Sequence, residues 1–152
     1  MTDSMTVTTT GLNEFKAMLA KLGAVGDAIA IDAMEAGARV VEIYAQNNVR
    51  TLLNKHPTGN LVNSIGVRRE GKDVLVGVWG VVYAKIHEFG GVIVPIKAHA
   101  LRFQIGGQWV TTKIVHMPAR PYLRPAVNEH MPEINAAIAA AARGLIEKVW
   151  HG

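Results

Sequence analysis

The sequence predicts an α+β fold: an antiparallel sheet with N-terminal helices and a C-terminal helix packed on one face, plus a projecting β-hairpin. Three observations predict it. Apolar residues recur at three- and four-residue steps near the start, short strands punctuated by turn residues fill the middle, and helical spacing returns at the end. A chain of 152 residues has the length of one domain. At that length about 68–70% of the unfolded surface can be buried, enough for a real core. Residues 1–10 are Thr/Ser-rich with little apolar periodicity and read as a flexible tail. That leaves 11–152 as a single domain, with 91–117 as a hairpin insertion.

In order along the chain, Leu12, Phe15, Leu19 and Leu22 mark one face of a first helix, interrupted by Gly23 and Gly26. A second helix is expected from Asp27, a plausible N-cap, with Ile29, Ala33, Val40, Val41 and Tyr44 inward and the pattern fading by Arg50. Its Ala/Gly content implies a closely packed neighbour. After the loop Asn54–Gly59 and a short turn at Asn60–Asn63, Ser64–Arg69 and Val74–Trp79 flank Glu70-Gly71-Lys72-Asp73 as a β-hairpin. Val82–Phe89 reads as a short helix ended by Gly90-Gly91. A second hairpin follows, with Val92–Lys97 and Ala100–Ile105 before Gly106-Gly107 and Gln108–Val115 after it. Pro118, Pro121 and Pro125 stiffen an extended crossing segment. The last helix is expected from about Pro125 or Ala126 to Val149, with Ile134, Ile138, Ala142, Leu145 and Val149 on one stripe.

Composition narrows the function classes. Hydrophobic residues make up 49% and charged residues 18%, with a mean hydropathy of +0.17. This is more apolar than an ordinary soluble monomer, so some apolar surface is expected to face a partner chain. The absence of cysteine excludes a disulfide framework, thiolate zinc, iron–sulfur ligation and a cysteine nucleophile. The longest apolar run, Ile134 to Ala142, contains Asn135 and falls far short of the ~20 residues a bilayer needs. The start of the chain lacks a basic-then-apolar signal pattern, and a soluble protein made in the cytoplasm is the expectation.

Charge is distributed unevenly. Residues 1–45 carry six carboxylates against Lys16, Lys21 and Arg39, a net −3; residues 46–124 carry eleven Lys/Arg against Glu70, Asp73 and Glu88, a net +8; the remainder is −1. A basic middle between acidic flanks fits a nucleic-acid surface, a subunit whose basic part docks on a neighbour's acidic part, or a solvated sheet face. No basic run is interleaved with aromatics, so sequence-specific readout is not expected.

The motifs of known chemistries fail on their own requirements. Gly66-Val67-Arg68-Arg69-Glu70-Gly71-Lys72-Asp73 has the spacing of a phosphate-cradling loop, yet Asp73 replaces the Ser/Thr and the segment joins two strands instead of opening a helix. His87-Glu88 resembles the start of a zinc-protease motif, but Gly91 stands where the second histidine is required. His130 and Glu133 form a pair expected to face solvent. The two serines, Ser4 and Ser64, lie in no nucleophile elbow. No catalysis, metal or cofactor is predicted. A hydrolase using Ser64 or His87 would need a pocket that the sequence does not announce.

Three segments in series carry a resemblance. Gly59–Ile65 is a G-x-L-x-x-S-I segment, Tyr83–Gly90 a Y-A-x-x-x-E-F-G segment, and Pro118–Ala126 reads P-A-R-P-Y-L-R-P-A. In that order, before a final helix, they resemble the tail-component and virion-morphogenesis family of tailed bacteriophages. The insertion Gly91–Met117 and Gly91 itself, where many members carry threonine, depart from the shorter members. The resemblance implies a structural neck protein of the virion, a tail-completion or tail-terminator subunit made in the host bacterial cytoplasm. It further implies a homo-oligomeric ring, expected as a hexamer, that meets the major tail protein and the head–tail connector while DNA passes through without sequence-specific binding. A head-side connector or stopper is the alternative within the class, and a non-specific nucleic-acid-binding protein the alternative outside it.

The residues themselves suggest where assembly would act. Tyr83 and Phe89 flank the short helix and are expected to anchor it to the sheet while Glu88 stays polar, capping or pairing with Arg120 or Arg124, or bridging to another subunit. Pro118, Pro121 and Pro125 pre-set the backbone so that Tyr122 and Leu123 can enter a pocket at low entropic cost, as a core latch or a contact surface. Val92, Val94 and Trp109 are apolar on a segment expected to project. Arg68, Arg69 and Lys72 sit around one turn and are candidates to line a DNA channel.

Overall fold

The computed structural model describes residues 16, 20, 23–52 and 59–151. The expected first-helix face at Leu12, Phe15, Leu19 and Leu22 and the tail at 1–10 lie outside the described residues. In chain order the elements are α1 (Ala24–Leu52), α2 (Asn60–Ser64), β1 (Ile65–Glu70), β2 (Asp73–Val78), α3 (Ala84–Phe89), β3 (Gly91–Ile93), β4 (Leu101–Ile105), β5 (Gln108–Thr112), β6 (Val115–Met117), α4 (Leu123–Asn128) and α5 (Met131–His151). The α+β class holds. The strands form three separate two-stranded antiparallel sheets, β1–β2, β3–β6 and β4–β5. The chain divides into two compact units, Val82–Pro121 and the remainder.

The first unit is organised on α1, against which α5, α4 and the β1–β2 hairpin all pack. α1 begins at Ala24, three residues before the expected cap. Gly23 takes a φ of 77° and accepts the Gly26 N–H at 2.9 Å, so the chain turns there. Asp27 therefore sits in the first helical turn, where a negative charge suits the helix dipole. Ile29, Ala33, Val41, Ala45 and Val49 are buried at helical spacing, while Val40 and Tyr44 are half-buried. The close neighbour implied by the Ala/Gly content is α5: a Cβ on Gly37 would lie 2.5 Å from Ile138 Cγ1.

Two corrections concern the C-terminal helix and the turn before β1. Asn60–Ser64 is a five-residue helix, closed by the Ser64 hydroxyl donating to the Asn60 carbonyl at 2.5 Å. The expected single terminal helix is two, α4 and α5, broken at Glu129 and His130. Pro132 is the cause: in a continuous helix its ring would meet the carbonyl of Asn128 and a hydrogen bond would be lost. Pro125 is harmless in the first turn of α4, where N–H groups have no helical partner. The carbonyl of His130 instead accepts the Ile134 N–H at 3.0 Å and starts α5. Its ring stacks on Tyr44 with centroids 3.3 Å apart, so His130 is half-buried and not the solvent-facing residue expected. On the expected stripe Ile134 and Ala142 are buried, whereas Val149 is exposed.

The second unit holds α3 and the other two sheets. β1–β2 matches the expected first hairpin within one residue, with Glu70 opposite Asp73 across a two-residue turn. The expected second hairpin is partly redrawn. Gly106-Gly107 does turn β4 into β5, both glycines with positive φ as a type I′ turn requires. The strand expected over Val92–Lys97 stops at Ile93, just before Pro95, which has no N–H for a ladder. Gln108–Val115 is likewise broken. The Thr112 hydroxyl bonds both the N–H and the carbonyl of Ile114, turning the chain so that β6 returns to pair with β3. Gly91 is thereby opposite Met117.

Candidate assembly surfaces

The second motif segment builds α3 and its exit. Gly90 ends the helix with φ 70° and ψ −175°, its N–H bonded to the Ile86 carbonyl at 2.9 Å. A Cβ there would lie 2.7 Å from the Ala119 nitrogen and 2.9 Å from the Met117 carbonyl oxygen, so no side chain fits. The Arg120 N–H donates to the His87 carbonyl at 2.7 Å. The E-F-G segment and the start of the proline segment are thus held together backbone to backbone, which is why a glycine is needed at that point.

On α3 the two expected anchors are the exposed residues and Glu88 is the buried one. Glu88 is 2% exposed, whereas Phe89 is 54% exposed and Tyr83 also faces solvent. At about 100° per residue, Ala84 and Glu88 share one face of the helix, while Tyr83 and Phe89, six apart, do not. Ala84 and Glu88 form the buried face. The Tyr83 ring meets His87 edge-on at 5.8 Å. Burial, with a smaller contribution from the nearby Arg120 cation, holds the His87 imidazole below its ordinary pKa of 6.5.

Of the other candidates, Val92, Val94 and Trp109 are exposed on the second unit. Val82, Ile96, Ile105 and Ile114 join them, so most of the exposed large apolar side chains among the described residues fall within 82–121. Sequence reasoning missed those four. The legible signal was that this stretch has one carboxylate, Glu88, so its exposed polar groups are cations and neutral side chains. Arg120 and Arg124 are exposed, whereas Tyr122 and Leu123 are buried in the first unit. The Tyr122 carbonyl accepts from the Asn48 amide of α1 at 3.0 Å, which pins the entry to α4.

The three channel candidates have partners in the first unit. Arg69 pairs with Asp32 at 2.8 Å and with Glu35, and Lys72 pairs with Asp27. Arg39 bridges Glu35 and Glu42 at 3.1 and 3.0 Å. These hydrogen bonds hold the Asp27 and Glu35 carboxyls below their ordinary range: Lys72 acts on Asp27, and Arg69 then Arg39 on Glu35. The Arg68 guanidinium lies 4.1 Å from the centroid of the Trp79 ring. The acidic helix and the basic hairpin therefore neutralise one another within the chain.

Among the described residues, no cluster of His, Asp or Glu could hold a metal ion, and no helix is long and apolar enough to cross a membrane. A family model described as "Bacteriophage HK97-gp10, putative tail-component" matches residues 13–90. The match spans the first two motif segments and ends on Gly90, the residue before β3. No curated protein and no solved structure matches the chain.

Proposed function

The chain belongs to the HK97-gp10-like family of bacteriophage tail components, and on that premise we propose that it is a structural, non-catalytic subunit of the phage neck. It is a tail-completion or tail-terminator protein whose copies form a ring, expected as a hexamer, joining the tail tube to the head connector. The observation that carries this reading is the exposed apolar surface of residues 82–121 in a chain whose other unit already has a core. Large exposed apolar surface marks a place of association. Assembly is the work of such a protein: hydrophobic and strand-edge contacts close the ring, and its faces meet the tail tube on one side and the connector on the other. DNA passes through without being read, because no basic run is interleaved with aromatics that could stack on bases, and Arg69 and Lys72 are engaged by α1 carboxylates.

The test is made on the phage that encodes the chain. With a nonsense codon in its gene, filled heads and finished but unjoined tails are expected by electron microscopy, and purified protein added to such tails should cap one end and restore joining. Normal particles without the protein, or salt-sensitive retention on DNA with no binding to tails, would refute the reading.

A further inference from the structure

The apolar stripe of α5 runs to the end of the helix it packs on and finds little there to cover it. Gly37 of α1 lies on Ile138, and Ile29 and Ala30 lie against Leu145 and Ile146, so the two helices are antiparallel. At an equal rise per residue, that register sets Val149 level with Val25 and Gly26, at the start of α1. Val149 continues the inward face, eleven, seven and four residues beyond Ile138, Ala142 and Leu145. It is nevertheless 53% exposed, and Trp150 beside it is 72% exposed. The reason lies in what α1 offers at that level. Gly26 has no side chain, a Cβ on Gly23 would meet nothing within 4 Å, and Val25 is itself exposed. An inward-facing valine and a tryptophan are left over a bare helix start.

Residues 12–22 are the part of the chain that reaches this spot. They enter α1 through Gly23, whose φ is 77°, one residue after Leu22. Leu12, Phe15, Leu19 and Leu22 recur at helical spacing, an apolar stripe that needs a surface to cover it. Lys16 and Ala20, to one side of that stripe, are helical and exposed. After the larger effect of Lys72, the Lys16 charge also acts on the Asp27 carboxyl in the first turn of α1. The polar side of the segment therefore lies by the start of α1, close to the uncovered end of α5. A second copy carries the same stripe, but the tethered one is present at an effective concentration of about millimolar, far above that of dilute protein.

We infer that residues 12–22 fold back on the chain they belong to and cover the end of α5, their apolar stripe seated on Val149 and Trp150. This goes beyond the neck reading and does not depend on it. It also divides the exposed apolar surface by use. The Val149–Trp150 end is closed by the chain itself, which leaves the surface of 82–121 for partners.

The chain has no cysteine, so engineered pairs can be read without interference. In the full-length chain, Phe15→Cys/Val149→Cys and Leu19→Cys/Val149→Cys test the stripe, with Lys16→Cys/Val149→Cys and Ala20→Cys/Val149→Cys as controls from the exposed side. Circular dichroism confirms that each reduced form folds. A disulfide requires Cβ atoms about 4 Å apart, so only a seated stripe can close one readily. Under mild oxidation of dilute protein, at least one stripe pair should close within the monomer roughly tenfold faster than either control, read on non-reducing gels. A second measurement uses Trp79→Phe/Trp109→Phe, which leaves Trp150 as the only tryptophan. Removing residues 1–22 from that variant should raise acrylamide quenching of Trp150. The inference is overturned if both stripe pairs fail to close, if the controls close as fast, if closure occurs only between two chains, or if Trp150 quenching is unchanged.

Discussion

Gly90 meets two demands at once, a left-handed φ and a backbone approach that leaves no room for Cβ. Gly90→Ala should lower stability by about 2 kcal/mol or more, from roughly 1–3 kcal/mol for a backbone region open essentially only to glycine plus the displacement of Met117 and Ala119. The check is the denaturant midpoint, with hydrogen exchange locating the loss in α3. His87 makes a second prediction. Its folded pKa lies below the ordinary 6.5, so the unfolded chain takes up the proton first. Stability is full above pH 6.5 and falls as pH drops from there toward the folded value. His87→Gln should remove that early acid loss, read as the difference between wild-type and variant melting temperatures across pH 7.5 to 5. At this scale the sequence was only partly legible. The motif Tyr83–Gly90 is plain in it, and so is the helix. Which face is buried is not, because an exposed Phe89 and a buried Glu88 invert the usual ordering of residues by polarity.

Among the elements, α1 shows how a long helix can serve two neighbours. Its apolar stripe meets α5 at Gly37, and its acids meet the β1–β2 hairpin. Gly37→Ala should destabilise the protein: helix propensity returns up to about 1 kcal/mol, but overpacking against the branched Ile138 costs about 1–3 kcal/mol. Gly144→Ala is the matched control. A Cβ there meets nothing within 4 Å, and a gain of about 0.5–1 kcal/mol is expected in the same denaturation measurement. The ion pairs predict a separate acid window. Asp27 and Glu35 are held below their ordinary values of 3.8 and 4.5, so their contribution is present above those values and is lost as pH falls through the lower folded ones. Asp27 is largely solvent-exposed and Glu35 partly so, so the loss should be small and reduced further by salt. Amide exchange in β1 and β2, measured at pH 5 and pH 3 in low and high salt, checks it. Periodicity and turn glycines located α1, β1–β2 and the β4–β5 turn. Boundaries failed where a single residue overrode the pattern: Pro132 split the last helix, Pro95 stopped β3, and the Thr112 side chain turned β5 away.

For the whole molecule, the distribution of apolar surface separates a part that is finished by folding from a part that is not. Outside 82–121 most of the large apolar side chains are buried, on α1, α2, the β1–β2 hairpin, α4 and α5; within 82–121 many of them face water. Composition announced this excess, with 49% hydrophobic residues, but could not say where it would lie, because alternation along a hairpin looks the same whether one face is covered or bare. The family match ending at Gly90 adds that the exposed hairpin follows the matched region. Excision tests this division. Gly91 and Met117 are paired partners in a ladder, so residues 92–116 can be replaced by a two-residue Asn-Gly turn without separating the ends they join. If folding and assembly are carried by different parts, the shortened chain should keep its helical circular dichroism and melt within a few degrees of the wild type. It should also lose self-association and the joining of tails to heads. Intact joining by the shortened chain would remove the hairpin from assembly, and collapse of the helical signal would show that it belongs to the folding core.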